Sequence, residues 1–315
     1  LIVLAGLKRN VASRSMWVSN VDDGTVSQVS IRSGSLVRNI TVGSAPKGLA
    51  FDGTAGIWVC NSGSNTVSRI DVFSGTVTDT VSVGTTPVDV AWDHASHVYV
   101  ACGGNNTVHR IGVTSKVVDL VISVNCGTGM AWDGAAHMHV THAAGLDLSR
   151  ILISNGAVDG NLVGAPAVRA ITWDHNGFVW YCKSTPEATQ RLAISTYDYA
   201  GEMPSSPMSN WMAWEDTGHI WATHYSGVVV VENVAAFTTA GAVTLEGTAQ
   251  TLQGIAWDGG QYLYVCDTRA SAVAGRNHVY RIDRATNAVT AIDLGGSSGV
   301  SRVGSFGICS DAVTI

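Results

Sequence analysis

The stretch Gly48-Leu49-Ala50-Phe51-Asp52 is followed closely by Ile57-Trp58-Val59-Cys60, by Thr66-Val67-Ser68-Arg69-Ile70-Asp71 and by a run over residues 77–83. These runs are short and rich in β-branched, aromatic and small residues, the composition of a half-buried strand. Between them stand Asp52-Gly53, Asn61-Ser62-Gly63-Ser64-Asn65 and Ser74-Gly75, each a tight-turn signal. The span therefore reads as four antiparallel strands joined by hairpins: an inner, a second, a third and an outer strand.

The opening phrase returns as Val90-Ala91-Trp92-Asp93, Gly129-Met130-Ala131-Trp132-Asp133, Ile171-Thr172-Trp173-Asp174, Met212-Ala213-Trp214-Glu215 and Gly254-Ile255-Ala256-Trp257-Asp258. The acidic residues recur at intervals of 40 to 43 residues, and six positions after each stands a ring: Trp58, Tyr99, His139, Trp180, Trp221, Tyr264. A fainter copy, Phe306-Gly307-Ile308-Cys309-Ser310-Asp311, lies at the end of the chain with no strands after it. The strands it lacks match residues 16–20, 25–31 and 36–42 at the other end. The repeat predicts an all-β, seven-bladed β-propeller of four-stranded antiparallel blades over residues 11–315. Its last blade is closed by three N-terminal strands and one C-terminal strand, and residues 1–10 form an N-terminal extension. Sharing a sheet between both ends leaves no open edge to aggregate.

The string from Ile57 to Asp71, with Gly75-Thr76-Val77 and Val83-Gly84, resembles the YVTN-type repeat of bacterial and archaeal propellers. It is also similar to the NHL-like propellers that include the virginiamycin B lyases. The likeness covers residues 11–315. It implies the fold, and for the lyase branch it implies a metal-bound glutamate and a catalytic histidine on one face. It does not imply one function, because adhesins, lyases, lactonases and scaffolds share this architecture.

Only 13% of residues are charged and the net charge is −6, which gives no basic face for nucleic acid. There is no apolar run long enough for a transmembrane helix. Residues 1–7 are apolar, but Lys8 and Arg9 follow them where a signal peptide would place charge first. Low charge and an apolar start suit a subunit docked in a larger assembly. The expected location is extracellular, on a cell surface or a virion, with residues 1–10 against another chain.

The repeat serves as its own control, since a residue type recurring at one template position is framework. Nine tryptophans fall on two such positions, where large rings are expected to fill the wedge between sheets. Arg69, Arg110, Arg150, Arg191 and Arg281 share a third-strand position and are expected to bond between blades. Cys60, Cys182 and Cys266 share another, as small buried residues. Cys102 and Cys126 break the template, and a disulfide between them is allowed but not favoured. No zinc-type spacing occurs. His94, His97, His137, His175 and His219 fall in the turns between first and second strands and read as solvated turn residues.

Function is expected on the opposite face, which bears the outer-to-inner and second-to-third connections. Before the inner strands stand Lys47, Val88, Thr128, Arg169, Asn210, Gln253 and Phe306; after the second strands stand Asn20, Asn61, Cys102, His142, Lys183, His224 and Asp267. Trp211 takes a position held by Gly48 and Gly254. Lys47, Arg169, Lys183, Trp211, Gln253, Asp267 and Phe306 make the candidate ligand-binding set, suited to a polar or anionic partner such as a surface glycan, or to a protein assembly partner. Two long insertions on this face carry Arg269, Arg276 and Arg302. The alternative is a metal-dependent lyase-like enzyme using His142 or His224 as general acid or base with a divalent cation such as magnesium. The rings hold no glutamate, and only Asp89 and Asp267 supply carboxylates, so the binding reading, with no cofactor and no metal, is preferred.

Overall fold

A computed structural model describes residues 14–142, 148–162, 168–184, 187–196, 198–203, 209–215, 218–224, 228–233, 238–245, 252–267, 278–295 and 305–310. The fold is an all-β propeller of four-stranded antiparallel sheets. Three strands open the chain: β1 (Ser15–Asn20), β2 (Thr25–Ser30) and β3 (Ser35–Thr41). Blade one follows as β4 (Pro46–Phe51), β5 (Gly56–Asn61), β6 (Thr66–Asp71) and β7 (Val77–Ser82), and blade two as β8 (Pro87–Trp92), β9 (His97–Cys102), β10 (Thr107–Gly112) and β11 (Val118–Ser123). Blade three comprises β12 (Met130–Trp132), β13 (His137–Thr141), β14 (Leu148–Leu152) and β15 (Val158–Leu162). Blade four is β16 (Val168–Trp173), β17 (Phe178–Ser184), β18 (Glu187–Ala193) and β19 (Asp198–Met203). Blade five is β20 (Ser209–Glu215), β21 (His219–His224), β22 (Val228–Asn233) and β23 (Thr238–Thr244). Blade six is β24 (Leu252–Trp257), β25 (Tyr262–Asp267), β26 (His278–Asp283) and β27 (Val289–Asp293), and β28 (Ser305–Ser310) ends the chain.

Six sheets are thus built from four consecutive strands, and the remaining sheet has the order β28-β1-β2-β3. In that composite sheet Met16 pairs with Ser310, Trp17 with Cys309 and Val18 with Ile308. Each adjoining pair of sheets shares an apolar cluster. Val59 and Ile70 meet Trp17 and Val26 of the composite sheet, Trp58 and Val67 of blade one meet Val98 and Ile111 of blade two, and Tyr264 and Ile292 of blade six meet Met16 and Val29. These inter-sheet layers are the core, so each blade's stability depends on its neighbours.

The acidic residue of the repeat has a structural task that its spacing to the ring explains. Asp52 Oδ1 accepts the amides of Thr54, Ala55 and Gly56 and the Thr54 hydroxyl, fixing the first hairpin. Its Oδ2 accepts the Trp58 indole N–H at 3.2 Å and the Arg69 guanidinium at 3.0 Å. The same indole-to-carboxylate bond links Trp180 to Asp174 (2.9 Å) and Trp221 to Glu215 (2.6 Å). In blade three an imidazole stands in for the indole, with His139 Nε2 3.6 Å from Asp133. Residue spacing i to i+6 around a two-strand hairpin brings these groups face to face.

Three expectations change. The second-strand rings Trp17, Trp58 and Trp180 are fully buried, but Trp92, Trp132 and Trp173 of the inner strands are only half-buried. They belong to an aromatic ladder instead: His94 stacks between Trp92 (4.4 Å) and Trp132 (4.5 Å), Trp132 meets Trp173 edge-on, and Trp173 stacks on His175 at 3.9 Å. The turn histidines are not merely solvated, since His97 bridges Asp93 and Asp119 and His137 bridges Asp133 and Asp159. The template arginines act mostly within their own blades, Arg110 on Asp119 and Arg150 on Asp159, although Arg110 also donates to the Ile153 carbonyl of the next blade.

Candidate functional site

The loop-rich face begins where the inner strands do, and there the ladders are irregular. Register shifts fall between Pro46 and Leu49, Pro87 and Asp89, Val168 and Ala170, Ser209 and Trp211, and Gln253 and Ile255. A bulge leaves its extra residue outside the pairing, a device common beside binding sites. The extra residue is Val88 in blade two, Arg169 in blade four, Asn210 in blade five and Gly254 in blade six, and blade one leaves both Lys47 and Gly48 outside the pairing. In blades one, two, four and five the bulge takes in the position that varies between blades in sequence, whereas in blade six it falls one residue later, at Gly254.

Lys47 is half-buried on β4, and burial lowers the pKa of its ammonium while nearby Cys60 partly offsets that. Asp89, in the neighbouring blade, accepts the Val90 amide at 2.9 Å and, across to blade three, the Met130 amide at 2.8 Å. Burial pushes its carboxyl up to about 7 against those two bonds. Gly48 makes room for it: a Cβ at position 48 would lie 2.4 Å from Asp89 Oδ1.

Other expected site residues have different roles. Trp211 is half-buried and packs against the core shared by blades five and six, so it is not a free stacking surface. Asn20, Asn61, Cys102 and His142 are all buried. Asn20 Nδ2 donates to Ser27 Oγ, which donates to Asn39 Oδ1 at 2.7 Å. His142 repeats that relay in blade three, its Nε2 2.8 Å from Ser149 Oγ, which in turn donates to Asn161 Oδ1. With the serine proton committed to Asn161, His142 carries its own proton on Nε2, and burial lowers its pKa. It is thus a neutral framework donor doing what asparagine does elsewhere, and its position does not suit a general acid or base that meets substrate.

For Arg169, Lys183, His224, Gln253, Asp267 and Phe306 the backbone lies at the expected ends of β16, β17, β21, β24, β25 and β28, and their side chains lie outside the described residues. Arg269, Arg276, Arg302 and residues 1–10 lie wholly outside them. Among the described residues no group of three or more His, Cys, Asp or Glu side chains is placed to hold a metal ion, and no helix is long and apolar enough to cross a membrane. A groove of about 510 Å³ between the β1–β2 turn and the connection from β3 to β4 is lined by Asp22, Asp23, Thr41 and Ser44. Burial and the charge of Asp22 raise the Asp23 carboxyl. Sequence reading missed this groove, whose signal was the Asp22-Asp23-Gly24 turn.

No family model matches the chain, and no curated protein matches it. Solved chains numbering 1554 share its shape, a likeness too widespread to identify an activity. A chain of hydrazine synthase from Kuenenia stuttgartiensis superposes with a TM-score of 0.66 at 14% identity, covering 95% of this chain and 100% of the other. At that identity the likeness extends to the β-propeller fold alone.

Proposed function

We propose that the chain is a closed seven-bladed propeller acting as a non-enzymatic recognition module on a cell or virion surface, its ligand a glycan met at the mouth where the inner strands begin. The observation that carries this reading is that in four blades the backbone bulge takes in a residue that varies from blade to blade, Lys47 (with Gly48), Val88, Arg169 and Asn210. A framework position repeats its residue; a position freed from the ladder and different in each blade can present an asymmetric set of groups to one ligand. The low charge of the chain fits docking in an assembly. The lyase-like alternative is weakened by the buried, serine-bonded geometry of His142.

The test is a glycan array probed with the whole chain and with Lys47→Glu. Lys47 is only half-buried, so the fold should survive, as circular dichroism will verify. Loss of roughly tenfold or more in affinity for an acidic glycan is expected, the scale of one charge-assisted contact. Equal binding by the variant, or no binding by the parent chain, counts against the reading.

A further inference from the structure

The chain holds two Asn-Gly pairs, Asn155-Gly156 between β14 and β15 and Asn176-Gly177 between β16 and β17. Such a pair carries a reaction of its own. The glycine amide nitrogen attacks the asparagine side-chain carbonyl carbon, and glycine has no side chain to hinder the approach. Two conditions decide whether this happens: the glycine N–H must be uncommitted, and the asparagine side chain must be free to turn toward it.

The two turns differ on both. In blade three the Gly156 N–H donates to the Leu152 carbonyl at 2.8 Å, and Asn155 Oδ1 accepts the Ala157 amide at 2.9 Å. Gly156 is also half-buried against blade two, where a Cβ on it would stand 2.5 Å from Leu120 Cδ2. In blade four the turn is tied at other atoms: the Asn176 N–H donates to Asp174 Oδ1 at 2.8 Å, and the Gly177 carbonyl accepts the Ile194 amide at 3.0 Å. The Asn176 side chain and the Gly177 N–H make no hydrogen bond among the described residues. Both residues are exposed, and a Cβ on Gly177 would meet nothing within 4 Å.

We propose that Asn176 is a self-modifying site, which deamidates in the folded chain through Gly177 while Asn155 is held back. The Gly177 nitrogen gives its proton to solvent and bonds to Asn176 Cγ. The Cγ–Nδ2 bond breaks and ammonia leaves, taking its third proton from water; a five-membered imide remains. Water then opens the imide at either carbonyl. One opening gives aspartate, the other isoaspartate, in which the main chain runs through Cβ and Cγ. The net change is one water taken up and one ammonia released, with nothing oxidised or reduced.

The consequence falls on the hairpin of blade four. Asp174 Oδ1 also holds the Phe178 amide at 3.0 Å, and its Oδ2 holds the Trp180 indole at 2.9 Å. The product sets a second carboxylate beside Asp174, and its isoaspartyl form lengthens the main chain between the two amides that Oδ1 accepts. The partner implied is a carboxyl methyltransferase that recognises isoaspartate. This hairpin lies on the face opposite the loop-rich one, so the inference is independent of what that face binds.

The native chain is held in mildly alkaline buffer at body temperature and mapped over time by peptide mass spectrometry. Expected are a gain of one mass unit on the peptide containing Asn176, ammonia released in step with it, and methyl transfer to that peptide by an isoaspartyl carboxyl methyltransferase. Asn155 should react about tenfold or more slowly, because its hydrogen bonds must open first. In the urea-denatured chain, where both turns are released, the two sites should react at similar rates. Asn176→Gln should remove the blade-four signal and leave the Asn155 rate unchanged. Equal rates at the two sites of the folded chain, faster reaction at Asn155, or a folded chain that stays intact at Asn176 while the denatured chain reacts there would each overturn the proposal.

Discussion

Two aspartates show how one residue type takes opposite characters in this frame. Asp133 lies among hairpin amides and histidines; burial would raise its carboxyl, but the His139 contact and the amides of His137 and Ala135 outweigh burial and hold it near about 2. Asp89 accepts only two amides, and there burial wins, leaving the carboxyl at about 7. The linkage follows. The folded value of Asp89 lies above the ordinary carboxylate value of 3.8, so its contribution is full below that value and is lost as pH rises through about 7. Asp133 works the other way, contributing above 3.8 and losing that contribution as pH falls toward about 2. Asp89→Asn should therefore flatten the decline in stability between about pH 4 and 7, raising stability at about pH 8 by roughly 1–3 kcal/mol. Urea unfolding of both chains across that range checks it, and parallel curves would show that Asp89 is charged throughout.

At the scale of the element, the hairpin between inner and second strands is where local and tertiary demands meet. Gly53 adopts φ +72°, a conformation that favours glycine, and a Cβ there would lie 1.9 Å from the Trp92 ring of the next blade. Gly53→Ala should cost about 2–4 kcal/mol, from left-handed strain and overpacking together, read as a lower midpoint in thermal unfolding. His94 takes the corresponding position at φ +56° and turns the same geometry into a stacking contact. Strands and hairpins of this kind were legible in the sequence, because period, turn chemistry and repeat all agree: the expected third strand of blade one has the observed bounds, and others differ by a residue or two. The roles of Asn20, Asn61 and His142 were not legible. Variation between blades looks the same whether a position faces ligand or donates to a neighbouring strand, and only the relay through Ser27 and Ser149 separates the two. The inner-strand tryptophans misled for a related reason: their spacing places them at a sheet surface, but it does not say how much of that surface the next blade covers.

At the scale of the whole molecule, the ladder between β28 and β1 joins the two ends of the chain, so its contribution is topological as well as local. Every other sheet is completed by hairpins between neighbours in sequence, whereas Trp17 and Cys309 must find each other across nearly the entire chain. Closing so long a loop is costly in chain entropy, and the pairing forms only when the intervening blades already hold the ends near one another. Asn39 adds a second link, donating at 3.0 Å to the Leu294 carbonyl of blade six. Removing residues 305–315 should leave β1 with an unpaired edge and the apolar side of Met16 and Val18 less covered, while the six consecutive-strand blades keep their internal ladders. The expected result is a chain of nearly unchanged far-ultraviolet dichroism whose thermal transition is broader and lower by about 10 °C or more, and which self-associates through the exposed edge. Sedimentation velocity beside calorimetry reads both effects. A truncated chain that stays monomeric with an unchanged transition would mean that the blades hold the ring closed without β28.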